Sequence, residues 1–422
     1  MKVQALNRMW MVLVGAAAAL AGTAAAQPVV VTGTGDPAMD VPAVQAAVDQ
    51  GGRVLLTGHF SFDRPPTAPA GAIYNRMVTV SKEVVISGTP DGQGEMPTIE
   101  GGNWPFFIDA RGSHVAIQGL HFVRPKAGAI WVYGVSGLTI ANCRIEGVEP
   151  TVEFGMQANQ TSALSGGIGV FGDPAPPNRM RPGLPENFSG TLTIVNNDID
   201  MGAPSGALAL GIVMFAVGTS PDQEVDIYVT GNNIRNVTEP AINFRVIAGR
   251  AHAERNVVTT GAVASGNPDA IRVVGTGSFL IAHNSIDCGW TNPAATGINA
   301  ISQAAPNPPE AGAIIVDNDV TMSAPEGSVF GPNSAGIAIE GASQGNLVTN
   351  NRIRGRATAG LSVLLVNGGS PGNTSFVAND LDGFQASLAD VFIDAGASNT
   401  VVIGRQAAVA DHGSGTVVIP RP

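Results

Sequence analysis

The chain contains 422 residues, of which only 13% are charged, and its 33 acidic and 22 basic residues give a formal net charge of −11. This acidic balance disfavours nucleic acid and anionic membranes as partners. The 54 glycines and 29 prolines supply many corners, and no linker or change of composition divides the sequence. We therefore expect one elongated domain over residues 27–422, preceded by a leader.

Residues 1–26 have the pattern of a secretory signal peptide. Lys2 and Arg8 form the positive start, an apolar run follows, and three alanines at 24–26 suit a cleavage site. Loss of these two basic residues changes the formal charge from −11 to −13. No later segment is long and apolar enough to span a bilayer. The sequence predicts export to the periplasm or the extracellular space, without a membrane span.

One early segment, residues 41–49, has the pattern of an α-helix. Asp40 is placed to cap its start, Pro42 suits the first turn, and the pair Gly51-Gly52 ends it. The rest of the mature chain favours short strands.

A six-residue pattern recurs along most of the chain. It has an apolar first place, a small polar corner and a large apolar sixth place. The copies are residues 117–122, 140–145, 194–199, 229–234, 253–258, 281–286, 315–320, 348–353 and 376–381. The fourth place is Asn in seven copies, and consecutive copies lie 23 to 35 residues apart except for one gap of 54, which corresponds to two periods. Such spacing indicates a solenoid.

The Asn-rich corner indicates the kind of solenoid. Asn tolerates the left-handed backbone of a sharp corner, and stacked Asn side chains can hydrogen-bond from one copy to the next. A second strand of alternating character precedes most copies, as at residues 129–133 and 241–245. Over roughly residues 40–420 the chain resembles the right-handed parallel β-helix of the pectate-lyase-like superfamily. The resemblance implies an all-β fold in which the helix at 41–49 plugs one open, apolar end.

Two long excursions, at about 146–166 and 172–190, are rich in Pro, Gly and Asn. Long loops on a rigid scaffold often carry function. The two cysteines, Cys143 and Cys288, are about four periods apart, or roughly 19 Å at about 4.8 Å for each stacked strand. That distance is too long for a disulfide, so we expect buried or inert thiols.

Strand alternation divides the residues between the two sides of the sheet. With Ile130, Val132 and Ile271 pointing inward, their neighbours form two outward columns. The first column is Phe107, Trp131, Gly169, Val213, Asn243, Arg272, Asn299, Ala338 and Ser362. The second column is Asp109, Tyr133, Phe171, Phe215, Arg245, Val274, Ile301, Glu340 and Leu364.

These columns contain the candidate substrate-binding residues, namely Trp131, Tyr133, Phe171, Phe215 and Asn243. Aromatic rings offer flat apolar area to sugar rings, and a groove parallel to the axis suits a linear polymer. The alternative is that the aromatic residues are covered by the long loops, or that they form a contact in a homo-oligomer.

The candidate catalytic residues are Arg245, Arg272 and Asp269. Arginines present forked donors to carboxylates, and the alternative is an ion pair of each arginine with Glu239 or Asp269. His252 and His283 fit surface or corner positions better than the role of a base.

The resemblance implies a polysaccharide ligand and two enzyme classes. The tryptophan-isoleucine-aspartate-histidine signature of pectate lyases is missing. Asn267-Pro268-Asp269 resembles the Asn-x-Asp of polygalacturonase-type hydrolases, but the expected Asp pair does not follow. We predict no cofactor or metal site; calcium would fit the lyase route, although no motif supports it. Two hypotheses stand: an exported polysaccharide lyase or glycoside hydrolase, or a non-catalytic structural, adhesive or glycan-binding β-helix.

Overall fold

The computed structural model describes residues 27–63, 76–151, 164–171, 188–202, 208–217, 225–247, 249–264, 268–275, 277–302, 312–366, 369–404 and 408–420. The predicted leader at 1–26 lies outside these ranges. Within them, no helix is long and apolar enough to cross a membrane.

The described residues form one helix and 33 strands. In chain order these are β1 (Val29–Thr32), α1 (Pro37–Val48), β2 (Gly52–Thr57), β3 (His59–Ser61), β4 (Val78–Val80), β5 (Val84–Gly88), β6 (Thr98–Glu100), β7 (Phe106–Gln118), β8 (His121–Val123), β9 (Gly128–Ala141), β10 (Arg144–Glu146), β11 (Leu164–Phe171), β12 (Gly190–Val195), β13 (Asp198–Asp200), β14 (Leu208–Val217), β15 (Val225–Thr230), β16 (Asn233–Arg235), β17 (Ile242–Ile247), β18 (Arg250–Glu254), β19 (Val257–Thr259), β20 (Asp269–Gly275), β21 (Ser278–Ala282), β22 (Ser285–Cys288), β23 (Thr296–Ser302), β24 (Ala313–Val316), β25 (Asp319–Met322), β26 (Ala335–Gly341), β27 (Leu347–Thr349), β28 (Arg352–Leu364), β29 (Ser375–Val377), β30 (Phe384–Ile393), β31 (Val401–Gly404), β32 (Val409–Asp411) and β33 (Val417–Pro420).

The strands stack in parallel as three faces of a right-handed β-helix, as the sequence predicted. Face 1 contains β1, β2, β5, β12, β15, β18, β21, β24, β27, β29, β31, β33 and the second halves of β7 and β9. Face 2 contains β3, β6, β8, β10, β13, β16, β19, β22, β25 and the first parts of β28 and β30. Face 3 contains β4, β11, β14, β17, β20, β23, β26, β32, the first parts of β7 and β9, and the last parts of β28 and β30.

The inward columns are confirmed by register and burial. On face 3, Ile130, Ile168, Ile212, Ile242 and Ile271 stand on successive turns, and all are fully buried. Because one such residue from each turn packs on the next, the core runs continuously along the axis from Val31 to Val402.

Helix α1 closes the N-terminal end of this core, because Val41, Val44 and Val48 are buried against the first turns. The predicted cap at Asp40 is wrong. Asp36 is the N-cap, and its Oδ1 accepts a hydrogen bond of 2.9 Å from the Ala38 N–H. The helix begins earlier than predicted because Pro37 fits the first helical position, where a missing N–H is not needed.

Asp40 instead lies inside the helix and is buried. Its Oδ1 accepts hydrogen bonds from the backbone N–H and the hydroxyl of Thr34, both at 2.8 Å, and its Oδ2 accepts from the Ser61 N–H at 2.8 Å. The carboxylate therefore fastens the helix to the strands of the first turn.

In the six-residue pattern, the residues at the third and fourth places have different roles in the corner. The third place has positive φ in every copy, for example 55° at Asn196 and 57° at His283. The fourth-place Asn is not the left-handed residue, which corrects the sequence prediction, because its side chain turns into the core. There the Asn side chains form a continuous ladder: Asn197 Nδ2 donates to Asn232 Oδ1 at 2.9 Å, and Asn232 Nδ2 donates to Asn256 Oδ1 at 3.0 Å.

The two cysteines are free and buried, as predicted. Burial raises the pKa of Cys143 to about 12, and it does the same for Cys288. Thiolate formation at either residue is therefore strongly disfavoured.

The predicted first outward column agrees with the observed register, and the second agrees from Phe171 to Leu364. The first column pairs on every turn from Phe107 to Ser362. In the second column, Asp109 pairs with Gly134 and not with Tyr133, because the register shifts after Ile108.

The two long excursions lie between β10 and β11 and between β11 and β12. Residues 164–166 at the end of the first belong to β11, and most of the remainder, 152–163 and 172–187, lies outside the described residues.

Candidate functional site

The outer side of face 3 carries a second apolar cluster over its N-terminal turns. This outer aromatic cluster consists of Trp104, Phe107, Ala127, Trp131, Leu210 and Val213, with Leu208 and Tyr133 packed against it. The ring centroids of Trp104 and Trp131 are 5.5 Å apart, and those of Phe107 and Trp131 are 5.1 Å apart in an edge-on arrangement. Trp131 is only 2% exposed. It therefore fits the alternative in which the aromatic residues are covered better than a role as an open surface for sugar rings.

Tyr133 lies at the edge of the outer aromatic cluster and is partly exposed. The guanidinium carbon of Arg111 lies 5.4 Å from the centroid of its ring, and Arg111 Nε is 3.0 Å from Asp109 Oδ1. Tyr133 is therefore the aromatic candidate whose ring remains closest to solvent among those described.

Three predicted site residues have only their backbone positions described. Phe171, Phe215 and Arg245 follow one another in register on β11, β14 and β17, while their side chains lie outside the described part of the chain. Their predicted roles stay predictions.

Beyond the aromatic cluster, face 3 carries a buried polar cluster that consists of Asn243, Asp269, Arg272, Asn299 and Glu340. Asn243, Arg272 and Asn299 are register partners on β17, β20 and β23, so their backbones are spaced by about 4.8 Å for each turn. Asp269 is 5% exposed and Glu340 is 6% exposed. The structure thus brings together three predicted residues and two that had not been chosen.

Asn299 is the centre of the polar cluster. Its Nδ2 donates a hydrogen bond of 3.1 Å to Asp269 Oδ1, and its register partner on the next turn, Ala338, lies two residues before Glu340. Arg272 Nε lies 3.6 Å from Asp269 Oδ2, within ion-pair range but too far for a hydrogen bond. Arg272 therefore forms the ion pair with Asp269 that the sequence offered as the alternative to a catalytic role. The Nε of its guanidinium group still lacks a hydrogen-bond partner in the described structure.

Several polar atoms of this region are buried without a hydrogen-bond partner in the described structure. They are Asn243 Oδ1, Arg272 Nε and Asn299 Oδ1, together with Ser362 Oγ farther along the same column. An unsatisfied buried polar group costs about 1–3 kcal/mol. A concentration of them on one surface is typical of a place where a ligand completes the hydrogen bonding.

The two carboxyl groups differ in their surroundings. Burial raises the pKa of Glu340 to about 7, and the charge of Asp269 adds to this shift. Burial also raises the pKa of Asp269, but the charge of Arg272 and the hydrogen bond from Asn299 oppose that rise. Burial thus favours the protonated form of both carboxyl groups.

Sequence reasoning missed Glu340 and Asn299 as functional residues, although both stood in the outward columns. The search was for an Asp pair in the period after Asp269, whereas the second acid lies two turns farther on. The signal that could have found it is positional: Glu340 lies on the turn after Asn299, two residues beyond Ala338, the register partner of Asn299.

The two histidines considered as bases lie on face 1, away from the polar cluster. His252 Nδ1 is 3.2 Å from Glu254 Oε1, and the centroid of its ring lies 4.8 Å from that of Tyr228 in a tilted arrangement. His283 occupies a left-handed corner, with Nδ1 3.8 Å from Asp317 Oδ2. Both are surface positions, as the sequence indicated. Among the described residues, no group of three or more His, Cys, Asp and Glu side chains could hold a metal ion.

No protein-family model and no curated protein sequence matches this chain. Solved structures with a similar course of the chain include the A-module of a mannuronan C-5 epimerase from Azotobacter vinelandii, with 11% identity, a TM-score of 0.39, and coverage of 92% of this chain and 95% of that one. A tailspike protein of E. coli bacteriophage HK620 in complex with a pentasaccharide has 11% identity, a TM-score of 0.47, and coverage of 91% and 77%. A mannuronic acid specific family 6 polysaccharide lyase from human gut microbiota has 13% identity, a TM-score of 0.40, and coverage of 94% and 91%. At this level of similarity they assign no residue of this protein.

Proposed function

We propose that this chain is an exported, glycan-acting enzyme of the glycoside hydrolase class, with the buried polar cluster on face 3 as its catalytic site. The observation that carries the proposal is the pair of buried carboxyl groups, Asp269 and Glu340, which stand on the turns before and after Asn299, beside unsatisfied polar atoms. Hydrolysis of a glycosidic bond uses two carboxyl groups in different protonation states.

In this proposal Glu340 is the general acid. Its pKa of about 7 leaves a large protonated fraction near neutral pH, which suits proton donation to a leaving oxygen. Asp269 is assigned as the ionised partner because Arg272 Nε lies 3.6 Å from its Oδ2, although burial raises the pKa of Asp269. The unsatisfied oxygens of Asn243 and Asn299 are available to accept hydrogen bonds from sugar hydroxyl groups.

The lyase alternative fits the cluster less well. A lyase requires a base that removes a carbon-bound proton, and Arg272 would have to lose its own proton first. Arginine keeps its proton in proteins, and Arg272 already forms an ion pair with Asp269, so Arg272 would be a poor base. The ion pair is consistent with a role of Arg272 in orienting the carboxyl group of Asp269.

The burial of the cluster affects substrate entry. Because Asp269, Asn299 and Glu340 are almost inaccessible in the unliganded molecule, a glycan must displace the groups that pack over this part of face 3. We therefore expect a slow opening step before the chemistry.

The test uses the secreted mature chain with a panel of uronate-containing and neutral polysaccharides. New reducing ends are expected, without the ultraviolet absorbance of unsaturated sugars. Glu340→Gln and Asp269→Asn should each lower the rate by about 10²–10⁴-fold. The matched control is Glu326→Gln, since Glu326 is an exposed acid in the segment that leads into β26.

Circular dichroism should first confirm that the variants fold. Unsaturated products would establish the lyase alternative instead. Full activity of the Glu340→Gln variant would refute the assignment of the acid. Neither product from any glycan would remove the enzyme proposal and leave the non-catalytic β-helix, whose binding to the same panel can then be measured.

A further inference from the structure

The two ends of the described β-helix differ. At the N-terminal end, α1 covers the core. At the other end, the last strand of face 1 is β33, which pairs with β31 on one side only. Val417, Val418 and Ile419 of this strand are all exposed, although they are large and apolar.

One of these residues belongs to the core column. Phe376, Val402 and Val418 stand on successive turns in register, and their exposure rises from 1% to 7% to 48%. The column is thus covered by the following turn at each position except the last. Exposed core together with an unpaired strand edge favours pairing with another strand.

We infer that β33 is a docking edge for a second copy of this chain, which joins through its own β33 around a two-fold axis. Joining head to tail would place the open end of one copy on the closed end of the next, where α1 already covers the core. Two open ends can cover each other, and a two-fold axis makes the two strands antiparallel.

The hydrogen-bond pattern of β33 fixes the centre of the pairing. The Val417 N–H donates to Thr400 O at 2.8 Å, within the β-helix. Peptide groups alternate in direction along a strand, so the N–H of Val418 points to the open edge. Pro420, which would be the next outward donor, has no N–H. The edge therefore offers one outward N–H, at Val418, and an axis there lets the two copies exchange both hydrogen bonds.

The pairing also completes the core. With the axis at Val418, the two Val418 side chains lie opposite each other on the core side of both strands. Each Val418 side chain covers the end of the core column of the other copy. The apolar surface that is exposed in one copy is therefore removed from water in the dimer. This inference concerns a face remote from the polar cluster and does not depend on the proposed enzymatic function.

The first test measures mass by sedimentation equilibrium over a wide range of concentration. The wild-type mature chain should show a reversible monomer–dimer equilibrium. Val418→Asp places two like charges opposite each other and should raise the dimer dissociation constant at least about tenfold, equivalent to about 1.4 kcal/mol. The matched control is Val30→Asp, because Val30 is 60% exposed on β1 at the closed end; it should leave the equilibrium unchanged.

A second test covers the case in which Val418→Asp fails to fold. Val418→Cys should form a disulfide-linked dimer under mild oxidation, because hydrogen-bonded antiparallel partners lie about 5.5 Å apart at Cα, within the usual range of a disulfide. Val30→Cys should remain monomeric, and the two native cysteines are buried and unreactive. A wild-type chain that is monomeric at all concentrations, a dimer weakened by Val30→Asp but not by Val418→Asp, or an open-ended polymer would overturn the inference.

Discussion

The asparagine ladder provides a test of the fold in which the size of the effect follows from counting hydrogen bonds. Asn256 Oδ1 accepts two hydrogen bonds from Asn232, one from its backbone N–H and one from its Nδ2, both at 3.0 Å. In an Asn256→Ala variant both buried donors lose their acceptor. At about 1–3 kcal/mol for each unsatisfied buried group, the free energy of unfolding should fall by about 2–6 kcal/mol.

Asn197, at the first rung of the ladder, is the matched comparison. It is buried like Asn256, but its Oδ1 accepts one described hydrogen bond, from the Cys143 N–H at 2.9 Å. Asn197→Ala removes the same side-chain volume and leaves one buried donor without a partner, so the expected loss is about 1–3 kcal/mol.

Urea unfolding followed by far-ultraviolet circular dichroism measures both losses, provided that the slopes of the transitions agree. The loss for Asn256→Ala should be about twice that for Asn197→Ala. Equal losses, or a smaller loss at Asn256, would refute the view that the number of orphaned donors determines the contribution of each rung.

Three further changes are expected to affect stability. Ile271→Ala should cost about 2–5 kcal/mol in urea unfolding because it leaves a cavity between two packed turns; no loss would place Ile271 outside the core. Trp131→Ala should cost about 3–5 kcal/mol, because its ring is buried in the outer aromatic cluster; an unchanged midpoint with weaker glycan binding would restore the open-platform role. The third concerns pH. The folded pKa of Glu340 lies at about 7, above its ordinary value of 4.5, so its stabilising contribution is fully present below about pH 4.5 and is lost as pH rises through about 7. By linkage this loss is on the order of 3 kcal/mol, and Glu340→Gln should abolish that component of the pH dependence of the urea midpoint; parallel curves for wild type and variant would contradict the assignment.

The architecture could be predicted because its determinants are local and repeated. An apolar residue at every second position and a left-handed corner every 23 to 35 residues are properties of short segments, so the inward column through Ile130 and Ile271 followed directly from the sequence. The error at Asp40 shows the limit of that reasoning. The carboxylate of Asp40 accepts hydrogen bonds from Thr34 and Ser61 instead, and Ser61 comes close to it only when the first turn closes.

The sequence by itself determined the solenoid, the inward column through Ile130 and Ile271, and the presence of Asn243 and Arg272 in one outward column. Only the tertiary structure decided which parts of that surface are buried. Alternation separates inward from outward residues, but it does not show which outward residues are buried. For the same reason the approach of Glu340 to Asn299 became visible only in the folded chain: β23 and β26 are neighbours because the turns stack, and stacking removes these carboxyl groups from water and shifts their pKa values.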